Sequence, residues 1–417
     1  MGMTIIEKIL SRAGSGETLK PGDLATVKVD IACLFDNNFM ASVWREVLHV
    51  QDPSKVVVVI DHRAPAAHVG SAHAHSTARK FVEQFGIEKM HDIGYDQGIC
   101  HVLMAEHGYA RPGSVLLCSD SHTCSAGALN CAARGVGTPD MLYAITKGET
   151  WFRVGETIRY ELTGQLPDNA FMKDVFFQIA GQYGGHVSQN VEFGGPALET
   201  LGIDARRTMA TMGAELSAEF ATFEPDSILV KYVKERTKVS FEPQMPDVDA
   251  RYLDKREINL SEIKPLVALP DSVVNNSAKV SDVAGTKLDQ CFVGSCANGT
   301  FDDLASVAKV LAGRKVAKGT RFIITPGSQS IYRRAVKAGI VETLLEAGAV
   351  VTNSTCGACG GGHMGIVGAN ENVITASTRN FKGRMGDPSA KIYMGSSATV
   401  AASAVEGAIA DPTPYLS

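Results

Sequence analysis

The chain has 417 residues, of which 45% are hydrophobic and 20% charged, and its formal net charge is −5. This length predicts two or three domains rather than a single core, and the composition is typical of a folded globular protein. The net negative charge argues against nucleic acid as the main partner, because phosphate binding needs a basic surface. The longest aliphatic run, VVVVI at 56–60, is far shorter than the ~20 residues of a membrane span.

The first segment, MGMTIIEKILSRAGSG (1–16), predicts a short amphipathic helix. It lacks the basic region and the long apolar core of a signal peptide, so we expect a cytoplasmic protein. Nine cysteines in such a chain favour ligand or catalytic use of some of them over a disulfide framework. Most of the following six are expected to be buried packing residues: Cys33, Cys100, Cys118, Cys124, Cys131 and Cys291.

Short aliphatic strands alternate with helical patterns along nearly the whole chain, which is typical of α/β layers. In the first part, KVVVVID (55–61) and GSVLLCSDS (113–121) predict strands that are buried on both faces. Each ends in polar residues, and α/β sheets place their sites at the carboxyl ends of strands. The candidate site residues here are Asp61, His62, Asp120 and His122. The alternative is that they only form turns or helix caps.

The middle of the chain predicts helices around 170–183 and 204–220. The segment 242–267 is polar and interrupted by proline, which is typical of a connector without long periodic structure. After it a second α/β run begins, with strands predicted in DQCFVG (289–294), TRFIITPGS (320–328), AVVTNST (349–355) and KIYMGSS (391–397).

Three cysteines of this second run, Cys296, Cys356 and Cys359, lie in glycine-rich turns that follow predicted strands. They can therefore meet at one edge of a sheet, where glycine allows close approach of the backbone to a ligand. Spacing alone leaves three chemistries open: an iron–sulfur cluster, a zinc site completed by His363, or a dithiol redox pair. Cys296 has no paired cysteine of the zinc-ribbon kind, and three glycines after Cys359 make a poor helix start for a redox motif.

Seven short motifs occur in order along the chain: VIDHRAP (59–65), GICH (98–101), SDSHTCSAGA (119–128), TMGAELSA (211–218), GSCANGTFDDL (294–304), CGAC (356–359) and STRNFKGRMG (377–386). Together they resemble the aconitase superfamily, and within it the large subunits of the isopropylmalate dehydratase and homoaconitase type. The resemblance runs from residue 3 to the C-terminus. It implies an α/β protein of three domains packed around a [4Fe–4S] cluster, the counterparts of aconitase domains 1–3.

The implied domains are residues 1–155, which carry the Asp and His residues, 156–270, which carry Glu215, and 271–417, which carry the cysteines and arginines. The resemblance also implies one [4Fe–4S] cluster per chain, held by the three cysteines with one iron left open to substrate. An open iron acts as a Lewis acid on the substrate hydroxyl. Ser295 and Asn298 flank the first cysteine ligand and are expected to line the cluster environment.

The resemblance assigns six residues to proton transfer: Asp61, His62, His101, Asp120, His122 and Glu215. The first two match the pair that protonates the leaving hydroxyl. His101 matches a histidine that works beside Asp120, and His122 one beside Glu215. A carboxylate partner fixes the imidazole tautomer and raises its basicity.

Two arginines, Arg379 and Arg384, match those that bind the substrate carboxylate, for which a guanidinium fork is well suited. Some positions depart from the family pattern. Phe35 stands where a polar residue faces substrate, and Thr211 and Thr378, also expected in the cluster environment, replace asparagines of the site. Either the chain has drifted while it keeps isopropylmalate chemistry, or the pocket has changed and Phe35 favours an apolar substituent on the acid.

The chain ends after ADPTPYLS without the mobile fourth domain of aconitases, so the resemblance implies a separate small subunit that supplies the catalytic base. The implied function is the large subunit of a hydro-lyase that dehydrates or isomerises a hydroxy-dicarboxylic acid, with 3-isopropylmalate as the first expectation. Homocitrate or homoaconitate, 2,3-dimethylmalate and citramalate types are alternatives. A non-catalytic RNA-binding or zinc protein is a further alternative, and neither a membrane nor a nucleic-acid partner is expected.

Overall fold

A computed structural model describes residues 2–416. Over this range the strands form one sheet of five strands, one of four, one of seven and a two-stranded ribbon. Helices cover the sheets, as the alternating pattern of the sequence predicts for an α/β fold. Within the same range, no helix has the length and apolarity needed to cross a membrane.

The first sheet and the ribbon are built from α1 (Ile5–Ala13), β1 (Leu24–Lys28), β2 (Ile31–Phe35), β3 (Val56–Val59), α2 (Val69–Phe85), β4 (Lys89–His91), α3 (Cys100–Glu106), β5 (Val115–Cys118), β6 (Ala132–Gly135), α4 (Thr138–Lys147) and β7 (Glu149–Arg153). The strand order is β4-β3-β2-β5-β6, all parallel, and β1 pairs with β7 antiparallel. The predicted N-terminal helix is confirmed, and Thr4 and Glu7 form its capping box.

Strand β3 explains why this sheet is buried on both faces. Its four valines are all buried, and β-branched side chains pack well on a pleated surface. Val56 and Val58 enter the core under α1, whereas Val57 and Val59 enter the core on the opposite face. The polar residues that follow the strand therefore lie at the end of a sheet whose two faces are both covered by core residues.

The second sheet is built from β8 (Glu156–Thr163), α5 (Met172–Tyr183), β9 (Gln189–Gly194), α6 (Ile203–Met212), β10 (Ala221–Phe223), α7 (Ser227–Lys234) and β11 (Asp254–Asn259). Its strands run parallel in the order β10-β9-β8-β11. The third sheet is built from β12 (Leu266–Ala268), β13 (Ser277–Lys279), α8 (Val280–Val283), β14 (Gln290–Val293), α9 (Ser295–Asn298), α10 (Phe301–Leu311), β15 (Arg321–Ile324), α11 (Gln329–Lys337), α12 (Ile340–Glu346), β16 (Val350–Val351), β17 (Asn372–Thr375), β18 (Lys391–Met394), α13 (Ser397–Glu406) and α14 (Thr413–Leu416). Its order is β13-β12-β18-β17-β14-β15-β16, and only the pairs of β12 are antiparallel.

Two expectations about secondary structure were wrong. The helix expected over 204–220 ends at Met212 and passes into a 3₁₀ turn, because Gly213 packs against β10 so closely that a Cβ there would lie 2.6 Å from the Cβ of Ala221. The segment 242–267, expected to be a connector, contains β11, an edge strand in which three of the six residues are exposed. Strand β12 also begins before residue 270, and the three domain boundaries stay predictions.

Candidate active site

The site lies where the loops after β3 and β5 of the first sheet meet the loops after β14, β16 and β17 of the third. The backbone N–H of Cys356 donates to the carbonyl oxygen of Asp61 at 3.1 Å, and the Thr355 hydroxyl donates to the same oxygen at 2.5 Å. The Gln97 side-chain amide donates to the Ser354 carbonyl at 2.9 Å. Motifs almost 300 residues apart in sequence are thus joined directly.

Asp61 and His62 form the first carboxylate–imidazole pair. Asp61 is completely buried; one carboxylate oxygen lies 2.7 Å from His62 Nδ1, and the other accepts the backbone N–H of Cys100 at 2.8 Å. Burial raises the pKa of Asp61. Burial also acts to lower the pKa of His62, but the charges of Asp61 and Cys356 and the hydrogen bonds to Asp120 and Asp61 together outweigh it, and the pKa lies well above its ordinary value. His62 is therefore built to carry a proton.

Two further pairs follow the carboxyl end of β5. His101 Nε2 lies 2.8 Å from Asp120 Oδ1, and His122 Nε2 lies 2.9 Å from Glu215 Oε1. Asp120 also caps the turn after β5, since its carboxylate accepts the backbone N–H of His122. Burial alone would raise the pKa of Asp120, but hydrogen bonds from His101, His122 and His62 hold it well below its usual range. The structure thus brings all six residues expected to transfer protons into the same three pairs that the sequence indicated.

Sequence reasoning missed Asp36, which lies directly after β2. Its two carboxylate oxygens accept the backbone N–H groups of His62 at 3.0 Å and Arg63 at 2.8 Å. Burial raises the pKa of Asp36, but the His75 ring and the His62 contacts outweigh it and lower the pKa to about 2. Asp36 follows a buried parallel strand as Asp61 does, and this same signal could have found it.

The two predicted substrate arginines have different surroundings. Arg379 already has two hydrogen-bond partners: its Nε donates to Glu215 Oε1 at 2.7 Å, and its Nη2 donates to the Ser121 hydroxyl at 2.7 Å. Arg384 places Nη2 at 3.9 Å from the Cys359 sulfur, and its Nε is buried without a hydrogen-bond partner in the described structure. Arg384 is the side chain that has free capacity to bind an anion.

The three cysteines expected to hold the cluster converge at the same edge. Cys296, Cys356 and Cys359 are 6%, 9% and 2% exposed, and none forms a disulfide. The Cys356 thiol and the Arg384 guanidinium hold the pKa of Cys359 well below its usual range, despite burial. The Thr378 hydroxyl lies 3.5 Å from the Cys359 sulfur. The turn therefore stabilises a thiolate.

The thiol set fits an iron–sulfur cluster better than its rivals. Within residues 2–416, the sulfurs of Cys296, Cys356 and Cys359 do not all lie within 4.8 Å of one another. A tetrahedral zinc site with Zn–S bonds of ~2.3 Å requires its three sulfurs to be closer together. His363 Nε2 is held by the Pro65 carbonyl oxygen at 2.8 Å, and within the described residues His363 does not join the cysteines in a set of three ligand atoms that all lie within 4.8 Å of one another. The turn after Cys356 is 3₁₀ and no α-helix follows, which disfavours a redox pair at a helix N-terminus.

The backbone around the thiols packs closely against the turn that carries Arg384. Gly361 has φ +64°, and a Cβ there would lie 2.3 Å from the Arg384 carbonyl oxygen, so the turn requires glycine. Soft thiolates beside an unpartnered guanidinium are a suitable donor set for an anionic iron–sulfur cluster. The residues present thus fit the group that the resemblance implies.

The four residues expected in the cluster environment divide into two groups. Thr378 contacts Cys359, and Asn298 lies in α9, whereas Ser295 accepts the backbone N–H of Ala297 within its own turn. Thr211 is turned away: its hydroxyl donates to the Arg207 carbonyl of its own helix at 2.6 Å. The hydroxyl is thus not available to the site.

Phe35 ends β2 and packs its ring against His62, with ring centroids 4.4 Å apart. It is 5% exposed and forms an apolar wall beside the His62 imidazole. Of the six cysteines expected to be packing residues, all are buried, and burial raises the pKa of Cys124 and Cys131 to about 12.

The sequence matches the model of the Aconitase family (aconitate hydratase) over residues 40–282 and 273–407. A relative from Mycolicibacterium smegmatis, the 3-isopropylmalate dehydratase large subunit, is 49% identical over 99% of this chain and 97% of its own length. The 3-isopropylmalate dehydratase large subunit 1 of Methanopyrus kandleri is 42% identical over the whole of both chains. A probable methanogen homoaconitase large subunit from Methanothermobacter thermautotrophicus is 38% identical over 98% of this chain and 97% of its own length.

The chain therefore belongs to the aconitase family. It is an enzyme of the hydro-lyase class, and its α/β fold is the one that the motifs indicated. The aconitase X of Thermococcus kodakaraensis aligns over 93% of both chains with 12% identity and a TM-score of 0.49.

Proposed function

We propose that the chain is the large subunit of a [4Fe–4S]-dependent hydro-lyase that acts on 3-isopropylmalate. The observation that carries this proposal is the meeting of three carboxylate–imidazole pairs with three buried thiols and an unpartnered guanidinium. Two relatives of at least 42% identity, each spanned over 97% or more of its length, are named for this activity.

Each chain would hold one cluster, through Cys296, Cys356 and Cys359. With one iron left open, the bound cluster would supply Lewis-acid polarisation of the C–O bond that breaks. The guanidinium of Arg384 lies beside the thiols and supports their anionic form. Its unpartnered Nε is positioned to bind a carboxylate oxygen of the substrate.

His62 protonates the departing hydroxyl. Its Nδ1 is held by Asp61 at 2.7 Å, so Nε2, which lies 3.7 Å from Asp120, is the nitrogen that can hand a proton to substrate. Hydroxide is a poor leaving group, and proton transfer as it departs removes that barrier. The raised pKa of His62 keeps the ring protonated before the step.

The other two pairs keep the site ordered and polar. Asp120 is a shared acceptor for His101 and for the backbone of His122, so both rings have fixed orientations. Glu215 lies between His122 and Arg379, which links the second sheet to the first and third. Rotation of any one of these side chains would leave buried charge without a partner, which is costly.

Phe35 supports an alkyl-substituted acid as the substrate. Its ring covers one side of His62 and offers no hydrogen bond to a further carboxylate. An isopropyl group gains from contact with such a wall, whereas the extra carboxylate of a homocitrate-type acid would be desolvated there without a partner. The homoaconitase relative makes that acid the second candidate.

A separate small subunit completes the proposed enzyme and supplies the base that removes the carbon-bound proton. The support is that this chain spans nearly the full length of relatives named as large subunits. A cytoplasmic location, expected from the N-terminal segment, stays a prediction.

Anaerobic loading of the chain with iron and sulfide, followed by mixing with its small subunit, tests the proposal. A panel of 3-isopropylmalate, homocitrate, 2,3-dimethylmalate and citramalate is then followed by the ultraviolet absorbance of the unsaturated product. We expect 3-isopropylmalate to give the highest kcat/KM. A higher value for homocitrate would replace the substrate assignment, and no turnover of any acid by a fully loaded complex would refute the hydro-lyase.

A further inference from the structure

Lys173 is a completely buried lysine that no part of the proposed mechanism uses. It is the second residue of α5, and its ammonium donates to Asn298 Oδ1 at 3.1 Å, to the Ala376 carbonyl at 3.2 Å and to the Ser377 carbonyl at 2.8 Å. Lysine is almost never fully buried unless its charge is compensated. The helix belongs to the second sheet, whereas every oxygen that it binds belongs to the third.

The acceptors lie on the two turns that carry the site of the third sheet. Asn298 is two residues after Cys296 in α9, and Ser377 directly precedes Thr378 and Arg379. One ammonium group therefore ties the turn of the first cysteine ligand to the turn that carries a substrate arginine. The side chain of Met212, whose sulfur lies 3.2 Å from the ammonium, closes the remaining side.

The ammonium is also one end of a charged chain. The Asn298 amide nitrogen donates to Asp303 Oδ1 at 3.0 Å, so this side chain is held between a cation and an anion. Asp303 in turn caps α10 and accepts the Ser397 hydroxyl at 2.6 Å. Asn298 cannot rotate without breaking both bonds, and the Cys296 turn is fixed accordingly.

The charge of the ammonium acts toward the thiols. Burial lowers the pKa of Lys173 to about 8, and the charges of Asp303, Cys296 and Cys359 oppose that decrease. A cation at this place compensates negative charge on the thiolates and on any sulfide that they hold. Net charge and hydrogen bonding are two of the factors that set the reduction potential of an iron–sulfur cluster.

We propose that Lys173 is a positioning residue of the active site, which fixes the Cys296 turn against the Thr378–Arg379 turn and supplies positive charge behind the cluster. The proposal rests on the proposed function for the identity of the group that the thiols hold. It assigns no contact with substrate to the lysine.

Amide hydrogen exchange of the chain before iron is added tests the positioning role. Lys173→Met keeps the length of the side chain and removes the charge, and Lys173→Arg keeps the charge. We expect Lys173→Met to speed exchange about tenfold or more in residues 294–300 and 376–380, while residues 156–163 of β8 stay unchanged. Lys309→Met is the matched control, because Lys309 also donates to a backbone carbonyl, that of Leu416, far from the site.

Unchanged exchange in both segments would overturn the positioning role. If Lys173→Met does not fold, Asn298→Ser takes its place, since it removes one acceptor and leaves the lysine bound to Ser377. We then expect faster exchange in 294–300 alone, and no change there would refute the role equally.

The reduction potential of the iron- and sulfide-loaded chain tests the charge. We expect a more negative potential in Lys173→Met and a value close to wild type in Lys173→Arg, a pattern that a purely structural role would not give. Equal potentials in all three proteins would refute the charge component. Because neither measurement uses substrate, a wrong substrate assignment would leave both results unaffected.

Discussion

The two sides of the site differ in how completely the chain satisfies its own polar groups. On the Asp–His side, defined by the loops after β3 and β5, three imidazoles have carboxylate partners at 2.7 to 2.9 Å. On the cysteine–arginine side, defined by the turns after β14, β16 and β17, the Arg384 Nε has no partner in the described residues. The contacts of the Cys359 sulfur there are 3.5 and 3.9 Å long.

The Asp–His side is therefore preorganised, whereas we infer that the cysteine–arginine side depends on a bound group. Buried polar groups in native proteins are almost always paired, and an unpaired one calls for a ligand or another specific reason. The Asp–His side is ready to transfer protons as folded. The cysteine–arginine side carries the unpartnered guanidinium and the thiols at which the proposed cofactor would bind.

Cys356→Ala has the largest expected effect, because it removes a ligand from the dependent side. We expect the visible absorbance of the reconstituted cluster and the activity to be lost together, with the fold retained by circular dichroism. Cys291→Ala is the matched control: this thiol is buried in β14 before the Cys296 turn, and its loss should cost about 1 kcal/mol of stability and no cluster. Retention of both absorbance and activity in Cys356→Ala would refute the ligand assignment.

His101→Asn tests the preorganised side. We expect kcat to fall about 100-fold, because Asp120 loses the ring that holds it beside His62 and the geometry of proton transfer is disturbed, while iron and sulfide content stay at wild-type values. Steady-state kinetics and metal analysis on one preparation give both numbers. His107→Asn, at the end of the same helix, should leave kcat unchanged. Loss of the cluster in His101→Asn would show that the two sides are not separable.

Arg384→Lys tests whether the unpartnered guanidinium binds substrate. Lysine keeps the charge but cannot present two parallel N–H donors to a carboxylate, so we expect a 10- to 100-fold lower kcat/KM, mainly through KM (order of magnitude). Arg321→Lys, which changes a surface ion pair with Glu371, is the control and should change little. An unchanged KM in Arg384→Lys would mean that the guanidinium serves only the thiols.

Phe35→His tests the apolar wall beside His62. We expect the ratio of kcat/KM for 3-isopropylmalate to that for homocitrate to fall about tenfold, because the contact with the alkyl group is lost and a polar group replaces it. Competition between the two acids in one reaction measures the ratio directly. The same ratio in both proteins would remove Phe35 from the specificity determinants.

Replacement of His186 has the smallest expected effect. The pKa of His186 is lowered, whereas the pKa values of His62 and His122 in the site are raised. His186 lies in the loop between α5 and β9, between the Tyr160 hydroxyl and the Gly184 carbonyl, and burial together with Arg256 lowers its pKa from 6.5 to about 4. A histidine with a lowered folded-state pKa stabilises the fold above pH 6.5, and this contribution is lost as pH falls toward 4. We expect His186→Gln to reduce the acid-induced decrease of the unfolding free energy by the order of 1 kcal/mol. Identical pH profiles of thermal unfolding in the two proteins would contradict this.

The parts of the fold and site that depend on local sequence pattern could be predicted from the sequence. Asp61 and Asp120 were found because they end aliphatic strands, and the cysteine turns because glycines crowd them. Strand β11 was missed because DKREIN shows no apolar alternation, which an exposed edge strand does not need. The Aconitase family and the α/β fold that the motifs indicated are both confirmed by the comparisons.

Local sequence pattern does not show which group a polar side chain contacts in the folded protein. Thr211 was predicted to lie in the site, yet its hydroxyl donates to the backbone of its own helix, an orientation that depends on packing around α6. Lys173 carried one weak signal, because it shares a helix face with Phe176, Phe177 and Ala180, where a charged residue is out of place. Only the assembled fold shows that its acceptors come from two turns more than 100 residues away.

Mössbauer spectroscopy of the chain loaded with isotopically enriched iron and sulfide tests the central claim most directly. The claim is that the cysteine–arginine side holds a cluster with one iron open to substrate. We expect about four irons per chain, of which one alone changes its signal when 3-isopropylmalate is added. A set of irons that all remain unchanged by the acid, or bound zinc without sulfide in anaerobically purified protein, would contradict the account.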